Sequence, residues 1–328
     1  MRFTFSWLKR FLDTSRSLEE ILQGLNSLGL EVESVTDRSD LKDFKIAHIL
    51  EAEAHPNASK LKVCRVDDGK QILQVVCGAS NARAGIKIVL APVGSIIPAN
   101  NMQITLSNIR SVESQGMLCS SDELLLKDKD SFDGIIELDP DAEVGASFME
   151  HHQLNDPVIE IAVTPNRADC LGVYGIARDL HAKGLGRLKE LNIPELKSSF
   201  TSNKLVEITD SQICSLFIGY EIKNIENKTS PLWLKNLLKN SGLKPISAVV
   251  DVTNYVCHSF AQPMHAFDAD KINKISIRKA KDLEKFAALN DKIYELHQDD
   301  IVIADEGEVH CLAGIIGGKI SACSNDTK

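Results

Sequence analysis

The sequence predicts an α+β protein of several domains, in which a small α+β first domain is interrupted by an inserted β-barrel and followed by a further mixed region. Three observations predict it: an αβ pattern occupies residues 1–39, five short apolar strands separated by turn signals run from 44 to 138, and an αβ pattern returns from 158. At about 150 residues per domain, the 328 residues suffice for two domains or more.

Taken in order, Phe3, Phe5, Trp7, Leu8, Phe11 and Leu12 lie among Arg2, Lys9 and Arg10. They predict an amphipathic helix of the fold, not a secretory signal, because no unbroken apolar region or small-residue cleavage site follows. Ser17 and Glu20 form a capping box ahead of Leu18, Ile21, Leu22, Leu25 and Leu28, which predicts a helix over 17–29 that Gly29 ends. A strand is expected over 30–33, where apolar residues alternate with carboxylates, and 36–43 reads as a linker. The barrel strands are KIAHILEAEA, LKVCRV, QILQVVC, IKIVLA and MQITL, with an Asp68-Gly69 turn between the second and third. Beyond it, 158–163 reads as a strand and 168–183 as a helix closed by Gly184. The expected domain division is 1–39 and 151–198 for the first domain, 40–150 for the barrel, and 199–328 for a last region that stops without a closing element.

Composition excludes several classes. With 43% hydrophobic and 25% charged residues the chain is not disordered. Its longest apolar stretch, 86–99, is broken by Lys87, Gly94 and Pro98, short of the ~20 residues a membrane span needs. The eight cysteines form no C-x-x-C pair, so reduced thiols in the cytoplasm are expected, not a zinc or redox motif. A net charge of −9 excludes a globally basic nucleic-acid binder and leaves room only for local contacts.

Local candidates follow. Lys60, Lys62 and Arg65 lie in and beside one barrel strand, and Arg83 and Arg110 in later loops. Between residues 45 and 131 there is no Phe, Trp or Tyr for bases to stack on, so these cations mark either a solvated strand face or a purely electrostatic RNA contact. His265, in the Gln262-Pro263-Met264-His265 run downstream of Asp251, Thr253 and Asn254, could serve as a base or make a structural hydrogen bond. The AGIIGGKIS segment lacks the Gly and Ser/Thr of a phosphate loop and reads as a turn between strands. Asp122, Glu123, Asp128 and Asp130 read as a solvated loop.

Six segments, HPNASKLKVCRVD (55–67), VVCGASNARAG (75–85), RSVESQGMLCSSDEL (110–124), VTPNRADCLGVYGIARD (163–179), VVDVTNYV (249–256) and QPMHAFDADKI (262–272), together resemble, in order and spacing, the β subunit of bacterial phenylalanine–tRNA ligase. The resemblance implies that the inserted barrel is an OB-fold tRNA-binding domain and that 199–328 is part of an α+β editing-type domain, which in the family hydrolyses tyrosine wrongly attached to tRNA(Phe). It implies a cytoplasmic tetramer of two α and two β chains binding tRNA(Phe), with no role for DNA or membrane. ATP and Mg2+ would be bound by the α subunit and by C-terminal regions beyond this sequence. Pro263 and His265 match the family's editing pocket. Three positions depart from it: Lys244 stands where the family has Arg, Asp291 where it has the Gly of an L-D-G turn, and Lys319 where it has Glu. Lysine donates hydrogen bonds and accepts none, so the change at Lys319 implies weakened proofreading, with Asp291 a candidate partner for the ammonium. The alternative is a stand-alone tRNA-binding module or a trans-acting deacylase without ligase activity.

Overall fold

The computed structural model describes residues 1–126, 133–152 and 154–328, and the expectation for Asp128 and Asp130 falls outside them. The chain divides into two compact units, one formed by 1–34 with 158–328 and the other by 35–157.

In the first unit the strand Arg2–Thr4 pairs antiparallel with Val158–Ile161, which also borders Val32–Thr36. The N-terminal helix is Phe5–Phe11; Thr4 caps it by accepting from the Trp7 amide, and it buries Trp7, Leu8 and Phe11. The capping box forms as the sequence predicts, with Ser17 and Glu20 each bonding the other's amide, and the helix runs Leu18–Ser27. The strand expected at 30–33 instead spans Val32–Thr36. Leu30 is drawn into the helix end, where its amide bonds Leu25 O (3.0 Å) beyond a left-handed Gly29, and its side chain is buried.

The helix expected over 168–183 breaks in two, a 3₁₀ turn Ala168–Leu171 and an α-helix Val173–Ala182. The break is at Gly172, where a Cβ would come within 2.3 Å of the Ala261 amide nitrogen. That close approach lets the end of the helix Ala248–Phe260 pack there. Residues 199–328 remain in one unit with the first segment, because Trp7 reaches into this helix. Its ring stacks on Tyr255 (5.4 Å) and its Nε1 donates to Ser259 Oγ (3.2 Å). A five-stranded sheet follows, in the order Leu205–Ile208, Lys274–Lys279, Ile301–Ala304, Val309–Leu312, Ile316–Gly317; only its first pair is parallel. A hairpin, Glu284–Ala287 with Ile293–Leu296, lies beside it around buried Phe286.

The second unit is a near-closed barrel. Its sheet runs Gly116–Leu118, Lys87–Pro92, Lys45–Ala54, Lys62–Asp67, Ile72–Cys77. The far edges meet where the Gln115 amide donates to Gln74 O (2.8 Å) and the Val76 amide to Ser114 Oγ (3.0 Å). A bulge between Ile49 and Glu51 bends the longest strand. Four of the five expected strands form within a residue of their predicted ends. The fifth, 102–106, shrinks to Met102–Gln103, paired with Ile96–Ile97. The 36–43 segment is not a free linker, because its 3₁₀ turn Ser39–Leu41 places Leu41 fully buried among Phe44, Ile46 and Phe148. Nor is Glu123 simply solvated, since its carboxylate accepts from the Ser120 amide (2.6 Å) and hydroxyl (2.7 Å) and closes that turn.

Candidate nucleic-acid interface and hydrolytic pocket

The five barrel cations separate once their partners are known. The Lys62 ammonium points inward and donates to Ala82 O (2.5 Å) and Ser80 O (3.4 Å), so it is committed to holding the 80–82 turn. Arg83 makes a bidentate pair with Glu137 (both 2.7 Å). Such a pair is already neutralised and offers little to a phosphate. Arg65 pairs with Glu51 across two strands at 3.1 Å, both side chains half exposed, an arrangement worth under about 1 kcal/mol and easily exchanged. Lys60 and Arg110 are exposed, and neither side chain has an ion-pair or hydrogen-bond partner among the described residues.

Arg110 and Ser111 form the two-residue turn of the hairpin Ser107–Ile109 with Val112–Ser114, both in the left-handed region (φ +53° and +73°). Sequence reasoning missed this hairpin. Turns of this kind usually announce themselves as Asn-Gly, and here neither residue is glycine. It also missed His55 and Asn57, which bind the 55–61 loop to that hairpin. The HPN run in the first matched segment was the available signal.

In the other unit, His265 is brought against the glycine pair. A Cβ on Gly317 would fall 2.2 Å from His265 Cε1 and 3.1 Å from Leu289 Cδ1, so only glycine leaves room for the imidazole. Phe267 meets the ring edge-on at 4.5 Å. Desolvation by these neighbours pushes the His265 pKa below its ordinary value, although the residue as a whole stays solvent-accessible, so the imidazole is neutral and able to accept a proton near pH 7. Leu289 N bonds Gly317 O (3.0 Å) and Lys319 N bonds Ala287 O (2.9 Å), stitching the glycine strand to the hairpin that carries Asp291.

Lys319 and Asp291 form an ion pair, and the Lys319 ammonium holds the Asp291 carboxyl below its ordinary pKa. With side chains 50% and 83% exposed, this is a surface pair, and no ammonium is buried. Asp291 sits at φ +66° as the last residue of a three-residue hairpin loop, closed by Ala288 N to Lys292 O (2.9 Å). This left-handed position suits glycine. Pro263 is exposed in the same 261–267 segment as His265. Lys244 is exposed in the loop between the helices Leu232–Asn240 and Ala248–Phe260, with no polar partner among the described residues. Asp251 is structural, since its buried carboxylate accepts from Ser230 Oγ (2.5 Å) and the Ile246 amide (2.8 Å).

Among the described residues one group has metal-ligand spacing, Asp169, Cys170 and Asp179. It does not suit Mg2+, because Arg167 already fills it, donating to both carboxylates and to the Cys170 sulfur, while Arg178 adds a second guanidinium at 2.6 Å from Asp169. Burial also pushes the Cys170 thiol up to about 12. The glycine-rich 313–321 segment turns from the strand Val309–Leu312 into the strand Ile316–Gly317, and among the described residues no helix follows it.

The Arg167 clamp has a measurable signature. Hydrogen bonds from Arg167 lower the Asp169 pKa to about 2. A folded pKa below the unfolded one stabilises the fold above the unfolded value, and that contribution disappears as pH falls from about 4 toward 2. Asp169→Asn is expected to lower stability at neutral pH and flatten the acid limb of a pH-dependent urea titration. An acid limb as steep as the wild type's would exclude this role.

Residues 44–147 match the tRNA_bind family of tRNA binding domains, and residues 213–328 match the B3/4 domain. The phenylalanine–tRNA ligase β subunit of Rickettsia bellii is 51% identical, over 100% of this chain and 41% of its own length. That of Ehrlichia canis is 50% identical, again over 100% of this chain and 41% of its own. Among solved structures, an N-terminal fragment of the phenylalanyl-tRNA synthetase β-subunit from Pyrococcus horikoshii is 17% identical over 53% of this chain and 54% of that one, with a TM-score of 0.30.

Proposed function

We propose that the chain, which is similar along its whole length to phenylalanine–tRNA ligase β subunits and spans about two-fifths of theirs, acts as the β chain of such a ligase. In this reading it supports ATP-dependent attachment of phenylalanine to tRNA(Phe) in the cytoplasm, within a tetramer of two α and two β chains. The single observation that carries the reading is an identity of about half the residues in alignments that cover the whole chain. ATP and Mg2+ belong to the α subunit and to regions outside these residues, and no step is assigned to them here.

The barrel, read as an OB-fold domain inserted into the first domain, contributes tRNA contacts. Residues 199–328, read as part of an editing-type domain, carry His265, whose neutral imidazole can take a proton from a water attacking an aminoacyl ester. Pro263 shapes the backbone approach to it. With Lys319 and Asp291 paired where the family has Glu and Gly, position 319 carries a donor and the Asp291 carboxylate beside it is already engaged, so in this reading tyrosyl-tRNA(Phe) hydrolysis is weakened while the fold persists.

The test is the native mass of the chain and of its complex from the source cell, followed by assay of phenylalanine attachment. A β chain well above 36.1 kDa that co-purifies with an α chain and charges tRNA(Phe) when ATP is added is the expected result. A partner-free chain that binds tRNA or deacylates it without charging would replace this reading with the stand-alone module.

A further inference from the structure

We propose that Lys60 and Arg110 form one preset ribose-phosphate grip at a single end of the barrel, and that His55 and Asn57 hold its two halves in register. The proposal rests on the barrel being the tRNA-binding unit and says where on the barrel the backbone is held.

Four cations of this unit lack a side-chain partner among the described residues: Lys42, Lys60, Lys70 and Arg110. Two of the four sit on loops that are tied to each other. His55 is buried, its amide bonds Leu61 O (3.0 Å), and its Nε2 donates to Ile109 O (3.0 Å) while its Nδ1 accepts from the Asn57 amide (3.1 Å). Those two bonds require the same neutral tautomer, so the ring is fully used. Asn57 Nδ2 then donates to Arg110 O (2.9 Å). The carbonyls of Ile109 and Arg110, on either side of the Arg110 Cα, are thereby captured from the loop that carries Lys60.

The turn itself favours a positional role. Arg110 and Ser111 both occupy the left-handed region, where Asn-Gly would make the same turn without strain. Strain at two adjacent side-chain-bearing residues, over-determined by two hydrogen bonds from a neighbouring loop, is the pattern of a side chain held in place. The nearest carboxylate on the hairpin, Glu113, already accepts from Gln115 Nε2 (3.0 Å). With no Phe, Trp or Tyr between residues 45 and 131, and with the His55 ring buried and committed, recognition here is of phosphate and sugar, not of stacked bases.

Lys70 supplies an internal control. It lies in the turn after the strand Lys62–Asp67, whereas Lys60 lies before it, so the two ammonium groups mark opposite ends of one strand. The experiment measures binding of the full 328-residue chain to a tRNA(Phe) transcript between about 50 and 200 mM salt. Lys60→Gln and Arg110→Gln are each expected to reduce the salt slope by about 1 and to weaken binding roughly fivefold. Lys42→Gln and Lys70→Gln should change neither. Asn57→Ala keeps every charge and should weaken binding with the slope retained, which a purely electrostatic patch would not predict. Unchanged thermal unfolding of the Gln variants confirms that the barrel is intact. If the wild type binds with a steep slope that Lys60→Gln and Arg110→Gln leave unaltered, the grip is wrong and the barrel reading stands. If the wild-type chain does not bind the transcript, both fall.

Discussion

If the proposed editing role holds, exchanging Lys319 for glutamate and Asp291 for glycine together is expected to raise hydrolysis of tyrosyl-tRNA(Phe) at least tenfold, with phenylalanyl-tRNA(Phe) left unaffected. A site with a desolvated acceptor for a hydroxyl rejects the analogue lacking it by up to ~10⁴ to 10⁵, because the acceptor is then left unpaired. Here the two departed positions beside the glycine strand carry a lysine and an aspartate already paired with each other. Reversing both positions removes the donor, supplies a carboxylate and frees it of its partner. Single Lys319→Glu would instead set two carboxylates side by side and push the pKa of one upward, so the double change is the informative one.

Stability does not obstruct the experiment. The exposed pair contributes little, and a glycine in place of Asp291 at φ +66° relieves backbone strain. The gained activity should require His265 and should rise with pH to a plateau. The neutral imidazole is the active form, and desolvation lowers its pKa, so the midpoint lies below the ordinary histidine value near 6.5. Fast hydrolysis of tyrosyl-tRNA(Phe) by the wild-type protein, abolished by His265→Ala, would overturn the weakened-proofreading reading.

The second large effect is on folding. Trp7→Ala is expected to cost about 3–5 kcal/mol, a large share of the ~5–15 kcal/mol that holds a typical fold. Trp7 is fully buried in the core with Phe3, Leu25, Ile159, Ile176 and Leu237, and it also joins that core to the helix Ala248–Phe260 through Tyr255 and Ser259. Outside it, Arg10 lies over the rings of Trp233 (4.6 Å) and Tyr255 (5.7 Å), and Trp233 meets Tyr255 edge-on. The substitution therefore removes a large ring from a packed centre and detaches the segment that carries His265. Trp7→Phe keeps much of the volume but leaves buried Ser259 without its donor, and should cost about 1–3 kcal/mol. Urea unfolding followed through Trp233 reads both, since it is the one other tryptophan. A cost under 1 kcal/mol for Trp7→Ala would show that the two segments are held together elsewhere.

Much of the architecture is legible in the residues, for local reasons. The Ser17–Glu20 capping box, the Gly29 stop and the four long barrel strands follow from hydrogen-bonding side chains, left-handed glycine and period-two alternation, and these signals act within a few residues of themselves. Asp291 is also the partner the sequence suggests for the Lys319 ammonium, but the two meet as an exposed surface pair and not inside a pocket. The failures occur where a distant partner decides. Gly172 breaks a continuous helical pattern because the Phe260–Ala261 backbone passes too close for a side chain. Leu41 looks like part of a polar linker until the barrel core receives it.

By itself, then, the sequence determined the class of the fold, the interruption of one αβ pattern by a barrel, and the motifs that link the chain to its relatives, since each is written in short-range pattern and residue order. Only the tertiary structure decided which charges are free. Lys62 and Arg83 are as basic in the sequence as Lys60 and Arg110, yet the first two are consumed by carbonyls and a carboxylate up to 54 positions away. It also decided that Gly317 is the room His265 needs, and that a hairpin without glycine could be tied down by Asn57. A side chain's charge is local, whereas whether that charge is already satisfied depends on contacts between residues far apart in the chain.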